Sequence, residues 1–135
     1  MTLVDTNVLL DLVTVDPVWA GWSLSALGQA EVDGPLAIND VVYAELSSRF
    51  GQIEAVDEFV SDTRLELLPM GRATLFLAGK AFTHYRTLGG SRSGVLPDFF
   101  IGAHAVTMGV PILTRDPRRY RTYFPTVPLI TPPTA

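Results

Sequence analysis

Residues 2–13, which read TLVDTNVLLDLV, place a short apolar segment directly before an acidic residue and an apolar helical pattern. The apolar segment predicts a strand that ends at Asp5. Asn7 is expected to cap the following helix, because asparagine is a preferred N-cap residue and apolar positions begin at Val8. A strand that leads straight into a helix is typical of an α/β protein.

The same alternation of strands and helices continues along the chain. Apolar runs predict further strands at residues 36–38, 64–68, 110–113 and 128–130, with helical periodicity between them. Strands that alternate with helices imply a parallel sheet covered on both faces. We therefore expect a three-layer α/β/α sandwich with a central parallel sheet of four to five strands, and we expect residues 1–135 to form one domain.

The composition is that of a globular protein, because 47% of the 135 residues are hydrophobic. The absence of cysteine excludes a disulfide framework, a thiolate zinc site and a cysteine nucleophile. No apolar run approaches the ~20 residues of a membrane span, and no basic leader precedes one. We therefore expect a cytoplasmic protein without a membrane partner. The net charge is −4, so nucleic-acid binding has to depend on local arginines or bound cations.

Four acidic residues are predicted to fall at the same edge of the sheet. Asp5 ends the first strand, and Glu45 lies in the helix after the second. Asp98 opens a later helix, and Asp116 follows the strand that ends near Thr114. Taken singly, each acid has an ordinary explanation as a helix cap, a turn former or a solvated residue. Because ligands bind outside the carboxyl ends of parallel strands, we interpret the four together as a candidate site.

This acid set indicates a divalent cation. Four carboxylates at one edge repel one another, so either their pKa values rise or a cation holds them. Carboxylate oxygens without histidine or cysteine nearby favour Mg²⁺ or Mn²⁺ over zinc. Such an ion activates a water molecule and offsets the negative charge that develops on a phosphate during hydrolysis. The pattern therefore predicts a metal-assisted phosphodiester hydrolase.

Short motifs surround each of these acids. They are, in chain order, Asp5-Thr6-Asn7, Tyr43-Ala44-Glu45-Leu46, Pro97-Asp98-Phe99-Phe100-Ile101-Gly102-Ala103-His104-Ala105 and Thr114-Arg115-Asp116. In this order they resemble the motifs of PIN-domain ribonucleases, and within that family the VapC toxins of bacterial toxin–antitoxin pairs. The resemblance extends from Thr2 to about Phe124.

The resemblance implies a Mg²⁺- or Mn²⁺-dependent endoribonuclease whose acidic cluster is Asp5, Glu45, Asp98 and Asp116. Asp5, Asp98 and Glu45 would lie nearest the metal, and Asp116 would bind a second ion or orient a water. The resemblance also implies that the strand before Asp5 is central, that the protein forms a homodimer, and that a VapB-type antitoxin neutralises it. The implied substrates are structured RNAs such as transfer RNA or ribosomal RNA.

Polar neighbours are expected to support this site. Thr6 and Thr114 are the residues that we expect to hold the carboxylates or to contact phosphate. Asp11, one turn beyond Asn7, is expected to be solvated or to support the site from behind. His104 is expected to pack rather than to react.

Arginines supply the candidate RNA contacts, because guanidinium groups match the geometry of phosphate. The five candidates flank the Gly/Ser-rich loop or follow the last site strand: Arg86, Arg92, Arg115, Arg118 and Arg119. The alternative for each arginine is an ion pair with a surface acid or a contact with a helix end. The aromatic residues within 120–124 are interpreted as docking the C-terminal segment on the core, with base stacking as the alternative.

Two other functions stay open on the sequence. A catalytically silent PIN-like module would bind RNA or a partner without cleaving it, although the complete acid set argues against this. An aspartyl phosphatase would use Asp5 to attack phosphate. Such enzymes typically need a second acid two residues further on, where this chain has Asn7.

Overall fold

A computed structural model describes residues 1–92 and 94–133 of the chain. Its strands are β1 (Thr2–Val4), β2 (Leu36–Asn39), β3 (Leu65–Leu68), β4 (Ile112–Leu113) and β5 (Leu129–Ile130). They form one five-stranded sheet in the order β3-β2-β1-β4-β5, and every neighbouring pair is parallel. The predicted α/β fold with a central parallel sheet of four to five strands is confirmed.

Helices connect and flank the strands. They are α1 (Thr6–Val13), α2 (Ala20–Asp33), α3 (Asp40–Ser47), α4 (Ile53–Asp62), α5 (Arg72–Thr87), α6 (Leu96–Met108) and α7 (Arg118–Tyr123). Among the described residues, none of these helices combines the length and the apolar character that crossing a bilayer requires.

Strand β1 lies in the middle of the sheet, as the resemblance implied. The chain places β2 and β3 on one side of β1, and β4 and β5 on the other, so the strand order reverses at β1. Val4 pairs with Leu113, and the N–H of Asp5 donates to the Leu113 carbonyl at 2.9 Å. The residues that follow β1 and β4 therefore meet at the carboxyl edge, where open parallel sheets place their ligand sites.

The start of α1 differs from the prediction. The helix begins at Thr6 with Asp5 in the N-cap position, so Asn7 lies inside the first turn. The Asn7 amide instead points towards Asp5 and Thr114, at 3.4 and 3.3 Å, and its Oδ1 accepts from the backbone N–H of Arg115 at 3.3 Å. The capping prediction for Asn7 is wrong, because contacts with the segment after β4 take up its side chain.

Close packing fixes helix α6, which carries Asp98. Phe99 and Ile101 on this helix are fully buried. Gly102 allows α6 to approach the end of α7, since a Cβ added there would lie 2.3 Å from a ring carbon of Phe124. Packing of α6 against the end of α7 therefore fixes where Asp98 lies relative to α7.

His104 links α6 to the helix that carries Glu45. The imidazole is buried, and its Nδ1 lies 3.2 Å from the side-chain nitrogen of Asn39. Asn39 is also the N-cap of α3, where its Oδ1 accepts from the N–H of Val42. Burial lowers the pKa of His104, so the neutral ring is favoured and Nδ1 accepts from the Asn39 amide. The packed role expected of His104 is confirmed.

Candidate active site

Asp5 is the buried centre of the candidate site. Its side chain follows β1, and its Oδ2 accepts hydrogen bonds from the Tyr120 hydroxyl at 2.8 Å and the Thr114 hydroxyl at 2.9 Å. The Asn7 amide lies 3.4 Å from the same oxygen. All three donors are neutral, so they orient the carboxylate without cancelling its charge.

The electrostatics of Asp5 show that acidic side chains converge on it. Burial and the negative charge of Asp98 raise the pKa of Asp5 to about 7, with a smaller contribution from Glu45. The hydrogen bonds from Tyr120 and Thr114 oppose this rise, because they favour the ionised form. A carboxyl group held this far from its ordinary pKa, in a cluster of like charges, is typical of a functional site.

Asp98 and Asp116 each pair with an arginine from α7. Arg119 Nη1 donates to Asp98 Oδ2 at 2.9 Å. Arg118 contacts Asp116 with two parallel hydrogen bonds, at 3.0 and 3.1 Å. Burial raises the pKa of Asp98 and Arg119 opposes the rise, whereas hydrogen bonding by Arg118 lowers the pKa of Asp116. Two of the four acids therefore have a guanidinium as counter-charge.

Glu45 is held from α1. The Thr6 hydroxyl donates to Glu45 Oε1 at 2.7 Å, which joins the first residue of α1 to the middle of α3. Glu45 also raises the pKa of Asp98, so it belongs to the same electrostatic cluster. Thr6 thus holds Glu45 as Thr114 holds Asp5.

The donor atoms of the site are of the chemical type that a hard divalent cation prefers. The four acids offer carboxylate oxygens. Burial, together with repulsion between neighbouring acids, raises the pKa values of Asp5 and Asp98, and a bound cation would favour the ionised form of both. Within residues 1–92 and 94–133, no three acidic or histidine side chains are arranged as ligands of one ion. Asp98 and Asp116 are instead paired with Arg119 and Arg118.

The sequence model of the PIN domain matches residues 2–125, which is most of the chain. The chain belongs to the PIN domain family. The resemblance inferred from the four motifs is therefore confirmed at the level of the family. Comparison of the sequence with the curated proteins gives no match.

Solved structures share this PIN fold at low sequence identity. A chain of VapBC2 from Rickettsia felis, bound to a DNA fragment from its promoter, superimposes with a TM-score of 0.73 at 19% identity, covering 96% of this chain and 97% of that one. A chain of VapBC-1 from nontypeable Haemophilus influenzae gives 0.72 at 17% identity, covering 96% of each. A chain of a toxin–antitoxin complex from Klebsiella pneumoniae gives 0.64 at 20% identity, covering 100% of each.

Arg115 is partly buried and is held by an acid of α1. Its guanidinium makes three hydrogen bonds of 2.9 to 3.2 Å to Asp11 and lies 5.5 Å from the ring centre of Trp19. Asp11 is only 1% exposed and also accepts from the Ser23 hydroxyl at 2.7 Å. For Arg115 the structure favours the ion-pair alternative over an RNA contact. Of the two alternatives for Asp11, a solvated residue and one that supports the site from behind, its burial shows the first to be wrong.

The other candidate arginines separate into two groups. Arg92, Arg118 and Arg119 line one cavity together with Thr122 and Tyr123. Arg86 instead lies over the ring of Phe82 at 5.9 Å, one turn away on α5. The structure therefore brings three of the five candidates together beside Asp98 and Asp116.

Tyr120 is the site residue that sequence reasoning missed. It was interpreted as an aromatic that docks the C-terminal segment, and it is indeed buried, but its hydroxyl also contacts Asp5. The spacing of Tyr120 and Phe124, four residues apart, places both on one face of a helix. The structure shows that this face is buried. Tyr120 is thus both a core residue and a hydrogen-bond donor to the carboxylate of Asp5.

Proposed function

We propose that this PIN domain is a Mg²⁺- or Mn²⁺-dependent endoribonuclease and the toxin of a toxin–antitoxin pair. The observation that carries the proposal is the buried carboxylate of Asp5, which lies beside the charges of Asp98 and Glu45 and whose pKa is raised first by burial and then by those charges. A protein that keeps three interacting acids at the ligand edge of its sheet gains from a divalent cation there. Membership of the PIN family supports a nuclease as the class of enzyme.

The chain's own residues would hold the ion and the substrate. Asp5, Asp98 and Glu45 would supply the nearest oxygens, with Asp116 beside them. A bound divalent ion would activate water and offset charge on the phosphate. Tyr120 and Thr114 orient Oδ2 of Asp5 and favour its ionised form, and hydrogen bonds of this kind preorganise a ligand. Thr6 donates to Glu45 and orients its carboxylate.

The assignment as a toxin draws on the matched complexes. The Klebsiella pneumoniae structure is described as a toxin–antitoxin complex, and two further matches are VapBC assemblies. Each match covers nearly all of this chain and of the other. We therefore propose a VapB-type antitoxin as partner, a homodimeric assembly, a structured RNA such as transfer RNA or ribosomal RNA as substrate, and the cytoplasm as the place of action.

Cleavage of RNA by the purified full chain tests the proposal. We expect cleavage of transfer RNA or ribosomal RNA with Mg²⁺ or Mn²⁺, and its loss in EDTA. Asp5→Asn and Asp98→Asn, if folded by circular dichroism, are expected to lower the rate about 100-fold or more. The matched control is Glu58→Gln, an exposed acid of α4 whose loss leaves cleavage unchanged.

A catalytically silent PIN-like module is the second candidate function. It is favoured by one observation, that Arg119 and Arg118 already pair with two of the four acids. RNA that binds without being cleaved in Mg²⁺ and in Mn²⁺ would establish this alternative. Cleavage that persists in EDTA would exclude the metal mechanism, and phosphate trapped covalently on Asp5 would indicate an aspartyl phosphatase.

A further inference from the structure

Arg119 provides a positive charge inside the acidic cluster. Its Nη1 lies 2.9 Å from Asp98 Oδ2, and the two side chains are only 21% and 30% exposed. The neighbouring pair of Arg118 and Asp116 is far more accessible, at 80% and 40%. Ion pairs that are partly withdrawn from water are screened less and interact more strongly. Arg119 is therefore the more strongly held of the two guanidinium groups.

Among the described residues, no cationic side chain donates a hydrogen bond to Asp5 or Glu45. In the described part of the chain, the hydrogen bonds to the side chains of Asp5 and Glu45 come from hydroxyl and amide groups. An ion bound between Asp5 and Asp98 would add a second positive charge beside the Arg119 guanidinium that now contacts Asp98 Oδ2. Two cations at one carboxylate repel each other. Binding of the ion and pairing of Arg119 with Asp98 therefore oppose each other.

A cavity beside the acids offers Arg119 a second anion partner. It has a volume of about 220 Å³, and its lining combines three arginines with a threonine and a tyrosine: Arg92, Arg118, Arg119, Thr122 and Tyr123. Its described lining contains no carboxylate. Guanidinium and hydroxyl donors around a small cavity are suited to the oxygens of a phosphodiester. Arg119 belongs both to this lining and to the ion pair with Asp98.

We propose that the cavity is a phosphate subsite and that Arg119 exchanges between Asp98, in the metal-free protein, and the substrate phosphate, once a divalent ion holds Asp98. This inference rests on the proposed metal-dependent function. Binding of the ion then strengthens binding of the phosphate, and the reverse, because the ion binds Asp98 and the phosphate binds Arg119 once their ion pair is broken. Arg119 weakens binding of the ion alone and strengthens binding of the RNA.

Calorimetric titration with Mn²⁺ alone tests the exchange on the full chain. Arg119→Gln removes the competitor, so we expect it to bind Mn²⁺ about five-fold more tightly than the wild type. Arg119→Lys keeps a competing charge and is expected to stay close to the wild type. The matched control is Arg92→Gln, which removes one charge from the same cavity without freeing an acid, and we expect a change below about two-fold.

The Michaelis constant for RNA is a second measurement, which is expected to show RNA binding changing in the opposite direction to Mn²⁺ binding. Arg119→Gln is expected to raise KM for RNA although it binds Mn²⁺ more tightly, whereas a merely structural arginine would weaken both. Thermal unfolding in EDTA shows whether the variant is folded. If it is not, Arg119→Met, which keeps the length of the side chain, replaces it in the same titrations.

The outcomes separate this inference from the proposed function. A folded Arg119 variant whose Mn²⁺ affinity is unchanged or weaker overturns the exchange, while the metal site itself stands. A KM for RNA that does not rise overturns the phosphate subsite. A wild-type chain that binds no Mn²⁺, or that binds it as tightly after Asp98→Asn, overturns both proposals.

Discussion

The hydroxyl of Tyr120 donates to Oδ2 of Asp5 across 2.8 Å, and both groups are buried. Their effects on each other are opposite in sign. Burial and the charge of Asp5 raise the pKa of Tyr120, whereas the hydrogen bond from Tyr120 lowers that of Asp5. Tyr120 therefore stays a neutral donor, and Asp5 keeps a partner that favours its ionised form. Even so, burial and neighbouring acids hold the pKa of Asp5 at about 7.

The raised pKa makes the stability of the metal-free protein depend on pH. Folded Asp5 titrates at about 7 and unfolded aspartate at 3.8, so the folded state holds the proton more tightly. The protonated Asp5 therefore stabilises the folded state at low pH, and this stabilisation is lost as the pH rises through about 7. Asp5→Asn does not titrate, so we expect its free energy of unfolding, relative to the wild type, to increase by about 2–3 kcal/mol between pH 5 and pH 7.5.

Urea unfolding in EDTA at several pH values measures this difference. Glu58→Gln is again the control, because an exposed acid should show almost no pH-dependent difference. A difference between Asp5→Asn and the wild type that is constant with pH would show that Asp5 is not protonated near neutrality. Excess Mn²⁺ should reduce the pH dependence of the wild type, since a bound cation favours the ionised carboxylate.

The ion pair between the buried Asp11 and the partly buried Arg115 is expected to matter for stability. Asp11→Asn leaves the Arg115 guanidinium without its charged partner in a largely enclosed position, and breaking such a pair costs about 3 kcal/mol. The control is Glu31→Gln, which breaks an exposed pair with Arg64 and should cost less than about 1 kcal/mol. Chemical denaturation compares the two, and equal costs would contradict the buried role of Asp11.

The contact of α6 with Phe124 predicts an asymmetry between two glycines. Gly102→Ala would place a methyl group 2.3 Å from the Phe124 ring, and such overpacking typically costs about 1–3 kcal/mol. Gly79→Ala in α5 meets no atom within 4 Å and should stabilise the helix by about 0.5–1 kcal/mol. Thermal unfolding of both variants checks the prediction, and a stable Gly102→Ala would mean that α6 can move.

The sequence predicted the fold because its signals are local. Alternation of short apolar runs with helical periodicity predicted the parallel sheet, and strand ends predicted that Asp5 and Thr114 share one edge. The side-chain partners were not predictable in this way. Tyr120 and Asp5 are 115 residues apart, and Arg115 and Asp11 are 104 apart, so only the folded structure brings them together.

The position of the first strand at the centre of the sheet has a consequence for protein synthesis. Strand β1 is translated before its neighbour β4 and before the α7 residues Arg119 and Tyr120. Until then, one side of β1 has no backbone partner, and long-range pairing of this kind is slow to form. A nascent chain that has not reached α7 therefore cannot assemble the acids with their tyrosine and arginine partners, so a nuclease built in this way would remain harmless until α7 has been made.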